Sequence, residues 1–539
     1  MSKLVDERGR PISSARAAHE GADYGRELAT WHPGRYSADG ELLDEADTLT
    51  RRTADLVRNN GFASGAVQMH VDNVIGSGLL LNAKPDRRAL GLKGDDMAEV
   101  MDDLEDEIES KFDAWAEDPG CYVDASRRSR LSGLLAQAYR TYMIQFEILA
   151  TAEWLRRTGT PYRTAVQMVD PARLSNPPGR SNDDTMRAGV EMAVLGEPVA
   201  YHIASHIMGD MMGVRGPVTW QRVERETRWG RQKVLHVFDN DQPGRSRGKG
   251  SITSVLMRHR MHDKFARVSL EAAAFNAMYA AYIKSSFDWT SVAQAMGAKL
   301  DGDENVLMQY LKGKTEFHRD GHIKFDGVRV PHLFPGEELK HLAPAHPTPA
   351  FNAFEEAALR YLAAGWNLTY EQLSRDYSKT NYSSARASLL EAWKFFNGKQ
   401  YLIGGWFATM VYTLWLEEAV DRGAIVLPPA LPDFWEAKAA WTTSDWIGPG
   451  RGHIDPLKEA NGAKVWYSMN LETLESLAAE KGRRWRDLLD QRRQEQRYAD
   501  RIGLDISGVG GPTPVQQPAE QGEQRGGGPQ DQPAQQEVA

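Results

Sequence analysis

Apolar residues recur every three to four positions in several blocks of the chain, a spacing that predicts amphipathic helices. The first block is DEADTLTRRTADLVRNN at 44–60. A stronger one runs over 124–157. There Leu131, Leu134, Leu135, Ala138, Tyr142, Phe146 and Leu149 share one helical face, and Gly159 follows as a stop. From about 160 to 240 the period shortens. YRTAVQMVDP, PVAYHIAS, VERETRW and KVLHVFDN alternate or form short β-branched runs between Pro, Gly and Asn/Asp, which predicts a β-rich module. Residues 251–286 then contain neither Pro nor Gly. As one helix they would reach about 54 Å at about 1.5 Å per residue. Their first half is basic (Arg258, Arg260, Lys264, Arg267), and 272–281 is small and apolar.

The next stretch, 287–348, is an interlude of Gly, Asp, Pro and His with strands expected in GHIKFDGVRV at 321–330. Helical periodicity returns in PAFNAFEEAALRYLAAGW (349–366), ASLLEAWKFF (387–396) and LIGGWFATMVYTLWLEEAV (402–420). Residues 1–45 are polar with scattered Gly and Pro and read as an extended arm. Past Gly503 the chain turns to Gln, Gly and Pro without aromatics, a composition expected to be disordered. The fold class expected is α+β, mainly helical.

Composition narrows the function. The chain has 539 residues, enough for about two to four domains with cores of their own. Its net charge of −9 excludes a globally basic nucleic-acid binder. Contact with DNA would be local, or DNA would pass without being gripped. Cys121 is the single cysteine, so no intramolecular disulfide forms. The N-terminus lacks the apolar core of a signal peptide. The longest uncharged run, 401–416, spans about 24 Å as a helix against a hydrocarbon core of about 30 Å, so a buried helix is expected and the chain reads as cytoplasmic.

Motifs that carry chemistry are weak. GRSRGKGS at 244–251 misses the Walker spacing and reads as a flexible strand-to-helix connection. His202 and His206 are four apart but lie in a strand-like run with no Glu between them, so they read as structural. DGDEN at 301–305 begins like a calcium loop, but Val306 stands where Gly is required. The Arg-rich stretch at 481–501 interleaves both signs and reads as a solvated amphipathic helix, with a basic rim facing nucleic acid as the functional alternative. No metal or cofactor is implied. RDYSKTNYSSAR at 375–386 puts hydroxyls and amides directly before an apolar-periodic helix. Its bland reading is a helix start capped by Ser383 or Ser384.

Four stretches together resemble the lambda-type phage portal family. They are DLVRNNGFASGAVQMHVDNVIGSGLLLNAKP (55–85), VLHVFDNDQPGRSRGKGSITSVL (234–256), LSRDYSKTNYSSARASLLEAW (373–393) and DWIGPGRGHIDPLKEANG (445–462). The resemblance implies a portal fold of wing, stem, clip and crown, closing into a cyclic ring, twelve-fold in the virion, with an axial channel. It implies that double-stranded DNA is packaged through the channel by the terminase and later ejected, without catalysis by this chain. By analogy the arm is 1–45, the wing 46–250 and the first stem helix 251–286. The clip is 287–348, the second stem helix and tunnel loop 349–397, the crown 398–500 and the tail 501–539. The tunnel-loop residues implied are Ser378, Lys379, Thr380, Asn381, Tyr382, Ser383, Ser384 and Arg386. Implied partners are further copies of the chain, the terminase large subunit, a head-completion or connector protein, the major capsid protein or scaffold, and DNA bound without regard to sequence. No membrane is implied. The location implied is a capsid vertex of the virion, with the host cytoplasm during assembly. The competing readings are a soluble α+β hydrolase, whose acidic pair the sequence does not single out, and a membrane-associated protein anchored by 401–416.

Overall fold

The computed structural model of the chain describes residue 28 and residues 30–92, 97–207, 216–278, 351–379, 382–452, 455–504 and 506, with short pieces between 281 and 341. Local capping sets the first helices. Ser37 accepts the Gly40 N–H at the start of Ala38–Leu42. Asn60 both ends the helix Ala46–Asn59 and caps Gly61–Val74, accepting the Ala63 N–H at 2.9 Å. Its side-chain amide also donates to Asp263 at 3.0 Å, which ties this corner to a helix two hundred residues away.

Helices Gly61–Val74, Ala98–Ala116 and Leu131–Gln145 bury Val67, Val71, Ile108, Phe112, Leu134 and Ala138 in one main core. The helical face expected to continue to Leu149 ends earlier. Phe146 turns into the left-handed region at φ 72° while its N–H still bonds Tyr142 O. Strand β2 (Glu147–Trp154) begins at the next residue. Leu149 therefore points from a strand into a second, smaller core with Val169, Tyr201 and Ile203.

Taken in chain order, the strands are β1 (Leu80–Ala83), β2, β3 (Thr164–Val169), β4 (Met186–Arg187), β5 (Val190–Met192), β6 (Pro198–Ala204), β7 (Trp220–Glu224) and β8 (Val234–Phe238). An antiparallel three-stranded sheet has the order β3-β2-β8, and an antiparallel meander has the order β4-β5-β6-β7. The β-rich module expected over 160–240 is thus two small sheets. His202 lies on β6 against Glu191, whereas His206 lies beyond the strand against Ser205. The two are not brought together.

The GRSRGKGS stretch does join a strand to a helix, but it is pinned rather than flexible. Arg247 pairs with the buried Glu147 at the start of β2, through Nε at 2.9 Å from both carboxylate oxygens, and reaches the carbonyls of Leu174 and Ala188. His236 approaches the same carboxylate at 3.1 Å. Burial opposes Glu147's charge, but Arg247 and His236 more than offset it and hold its pKa near about 2. Ser246 N–H donates to Asp39, and Arg245 and Lys249 both reach Glu41. Gly248 is required here because a Cβ would stand 2.0 Å from the Phe146 carbonyl oxygen.

The single helix expected over 251–286 is shorter. A 3-10 turn, Ser251–Ser254, leads into a helix over Leu256–Met278, and Ala281–Ser285 is a strand, β9. The switch follows the residues: Tyr282 and Ile283 favour strand. Strand β9 pairs with β12 (Glu337–His341), and β10 (His322–Phe325) pairs antiparallel with β11 (Val328–Pro331), the strands expected from GHIKFDGVRV. DGDEN at 301–305 lies outside the described residues.

Leu256–Met278 packs antiparallel on the helix Phe351–Trp366. Phe265 meets Phe354, His262 meets Glu355, and Arg258 stacks over Tyr361. The helix Tyr382–Leu402 runs on through a π-helical turn, Ile403–Ala408, into Thr409–Asp421. The turn's extra residue is accommodated where Gly404 lets the Trp446 ring approach and Thr409 Oγ1 takes the Trp446 indole N–H at 2.9 Å. The expected buried helix is present. Tyr412 and Trp415 pack on Phe112, at ring-centroid separations of 5.6 and 5.3 Å. Among the described residues no helix is long and apolar enough to cross a membrane.

Strand β13 (Ser444–Ile447) returns to pair with β1. Helices Pro456–Ser468, Leu474–Ala479 and Trp485–Ile502 close the described chain. The Arg-rich helix starts on a fixed footing. Arg484 donates to Leu81 O at 2.6 Å and pairs with Asp113, while Arg486 pairs with Glu105 at 2.8 Å. Its later turns are exposed apart from the buried Ala499. Residues 507–539 lie outside the description.

Candidate functional site

The polar segment is presented by a short, well-capped helix. Thr369 and Gln372 form a reciprocal capping box around Tyr370–Ser374, with N–H···O distances of 3.0 and 3.2 Å. That helix packs on Gly61–Val74 and Phe351–Trp366, with Leu373 buried. Arg375 then takes a left-handed conformation, φ 59°, and ends it. Ser374 Oγ accepts the Asp376 N–H, and Asp376 in turn accepts the Ser378 N–H at 3.0 Å, an Asx turn that orders the entry to the segment. Hydrogen bonds from Ser378, side chain first and N–H second, hold the Asp376 carboxyl below its usual range.

Of the eight residues singled out from the sequence, Ser378, Lys379 and Arg386 are described with their side chains, and all three are exposed. Lys379 forms an ion pair with Glu356 on the preceding long helix, which raises the ammonium pKa and lowers that of the carboxyl. Arg360 shares the same carboxylate at 3.2 Å. The Lys379 charge is thus matched within the chain. Tyr382, Ser383 and Ser384 lie in the first turn of the helix Tyr382–Leu402, and Thr380 and Asn381 lie outside the described residues. Because helix begins at Tyr382, Ser383 and Ser384 are inside it and neither is its N-cap.

Sequence reasoning missed the surroundings. Leu256–Met278 leaves Met257, Met261, Phe265 and Val268 on one exposed stripe, with Met257 76% and Met261 62% accessible. Phe354 and Tyr361 are exposed on Phe351–Trp366, and Leu389 and Leu390 on Tyr382–Leu402. The stripe was legible as a four-residue period, but the arginines and lysine between its members drew the reading towards charge.

Where these helices enter the core, three histidines are buried together. Trp366 bridges two of them: its indole N–H donates to His259 Nε2 at 2.8 Å, and its carbonyl accepts from His70 Nε2 at 2.7 Å. His262 pairs with Glu355 at 3.0 Å. Burial pushes both His70 and His259 down to about 4. For His259 the neighbouring His262 acts in the same direction.

A family model described as phage portal protein, lambda family, matches residues 24–400. The chain is 33% identical to the portal protein of Escherichia phage N15 over 487 residues, 90% of each chain. It is 32% identical to portal protein B of Escherichia phage lambda, again over 90% of both. Among solved structures it is similar to a chain in the neck of a native GTA particle computed with C12 symmetry, at 13% identity and TM-score 0.43, covering 80% of this chain and 92% of that one. With most of its length matched by one family model, and two relatives about a third identical over 90% of each chain, this chain belongs to the lambda family of phage portal proteins.

Proposed function

We propose that copies of this chain close into a ring, twelve-fold in the virion, and that residues 378–386 face the central opening through which the duplex passes. Portal proteins are the vertex components through which phage DNA enters and leaves the capsid, and that role is this chain's. The observation that carries the ring is the pair of unlike apolar faces on two different helices, the Met257–Met261–Phe265–Val268 stripe and the Leu389–Leu390 patch. A head-to-tail ring needs two different faces on each subunit, and helices with exposed Met and Phe are poor surfaces for a solitary protein.

Neutral hydroxyls and amides suit the inner wall. They position phosphates without reading sequence, whereas a wall of free lysines would hold the duplex with a steep salt dependence. The Lys379–Glu356 pair and the net charge of −9 per copy favour passage over grip. In this reading 46–250 forms the wing, the Leu256–Met278 and Phe351–Trp366 helices belong to the stem, 287–348 forms the clip and 398–500 the crown. The terminase large subunit, a connector protein and the capsid or its scaffold dock on the ring, and the chain catalyses no step of its own. The test is a Met261→Asp, Val268→Asp double variant examined by sedimentation velocity. The expected result is a folded chain, unchanged by circular dichroism, that no longer assembles. Rings that persist in the double variant would refute the stripe as the subunit contact.

A further inference from the structure

The helix Trp485–Ile502 stands on a fixed base. Arg484 and Arg486 anchor its start to the acidic helix Ala98–Ala116 through Asp113 and Glu105. From Leu489 to Ile502 every residue except Ala499 is exposed. Residues 491–502 carry four arginines against two carboxylates, in a chain whose net charge is −9. Both carboxylates are engaged by neutral amides: Gln491 donates to Glu495 and Gln496 to Asp500, each at 2.8 Å. Arg493, Arg497 and Arg501 follow at four-residue spacing and so share one side of the helix. Among the described residues Arg493 and Arg497 make no ion pair or side-chain hydrogen bond, and Arg501 only rests over the Tyr498 ring, at 4.9 Å. Arg87, Arg231 and Arg247, by contrast, are each matched by a carboxylate. Asp490, one turn earlier, faces the acidic helix, where it acts on Asp106.

We infer that the Arg493–Arg497–Arg501 face is a contact for the phosphates of double-stranded DNA, additional to residues 378–386; this rests on the proposal that a duplex passes through the assembled chain. The spacing fits the ligand. Four helical residues rise about 6 Å, so the three arginines span about 12 Å along the helix axis. One strand of a duplex presents a phosphate about every 3.4 Å of axis, so the face matches about three or four in a row. Guanidinium groups meet phosphate through paired N–H donors, and such contacts carry no sequence information. An anionic membrane is the other polyanion an arginine face could meet. The opposite side of this helix carries Glu495 between Gln491 and Arg492, not the continuous apolar band that a helix lying in a membrane surface needs. Three contacts per copy make a local, salt-labile touch on a chain that is acidic as a whole.

The experiment uses the full chain, with a short fluorescent duplex as probe and anisotropy read across a salt series. Arg493→Gln, Arg497→Gln and Arg501→Gln together are expected to weaken binding more than about tenfold at low salt. They should also take about 3 off the slope of log K against log salt for each helix engaged. The same change of net charge made at exposed positions elsewhere, Arg52→Gln, Arg88→Gln and Arg180→Gln, is expected to leave both values as in the wild type. Sedimentation velocity is expected to show the first variant assembling as the wild type does. Normal assembly with an unchanged salt slope would overturn this contact and leave the ring standing. A wild-type chain that stays solitary would count against the ring alone, and the slope difference would then decide the contact as before. No duplex binding at low salt, an equal loss in the control variant, a first variant that no longer assembles, or phosphatidylglycerol vesicles bound more tightly than the duplex would each overturn the inference.

Discussion

Acid should loosen the helices at the histidine junction, where the hydrogen-bond geometry requires a neutral His259. His259 accepts the Trp366 indole N–H at Nε2, so it must be neutral with its proton on Nδ1, and that nitrogen has no partner. Protonation would set one N–H against another. Burial, with His262 adding to it, lowers the His259 pKa to about 4 from the ordinary 6.5; Asp263 opposes the shift weakly. The unfolded chain therefore binds more protons between those values. Stability falls as pH drops through 6.5 and levels off below about 4. A difference of about 2.5 pKa units corresponds to about 3 kcal/mol. The groups facing the junction are His70, His262, Asp263 and Glu355, with Lys399 acting on His70. All of them are retained in His259→Gln, a variant that can still accept from Trp366. Urea unfolding of both chains at pH 7, 5 and 4 isolates the His259 contribution. The wild type should lose about 3 kcal/mol relative to the variant between pH 7 and pH 4. A gap that stays constant with pH would refute the assignment of the neutral acceptor.

Four further outcomes are expected. Arg247→Met leaves Glu147 buried without its guanidinium partner, held only by His236 and the Gly248 N–H, and should cost about 3–5 kcal/mol in urea unfolding at neutral pH. In the wild type the stability this pair supplies should be lost only as pH falls from about 4.5 towards about 2, because the folded carboxyl titrates low. Gly248→Ala should cost about 3 kcal/mol, read from the melting temperature, since its Cβ meets backbone rather than a movable side chain. Replacing Ser378 and Thr380 by Lys should leave rings intact but slow DNA passage, with a stronger salt dependence in an in vitro packaging assay; packaging unchanged at every salt concentration would remove 378–386 from the wall.

Local signals in the sequence located many elements and missed what lies far apart along the chain. The helix Ala46–Asn59, the β-rich middle and the buried run through Trp415 were readable because periodicity and turn residues are local. Leu149 kept helical spacing by coincidence, since a left-handed Phe146 leaves no mark on an apolar period. The 251–286 stretch lacked Pro and Gly, yet absence of breakers does not make a helix where Tyr282 and Ile283 can pair with a distant strand. GRSRGKGS looked mobile because its partners Glu147, Glu41 and Asp39 lie 100 or more residues away. The polar segment was legible as a lead-in to a helix, but Lys379's partner Glu356 belongs to another element. The π-helical turn depends on Trp446, forty residues on, and has no local signature.

The account stands or falls on what surrounds the polar segment once copies assemble. Electron microscopy of the purified, assembled chain, at a resolution that traces the helices, measures this directly. A closed ring whose opening admits one duplex, with 378–386 on its inner surface and the Met261 stripe against the next copy, is the predicted result. A chain that remains solitary at high concentration, or a ring with that segment on its outer edge, would contradict it.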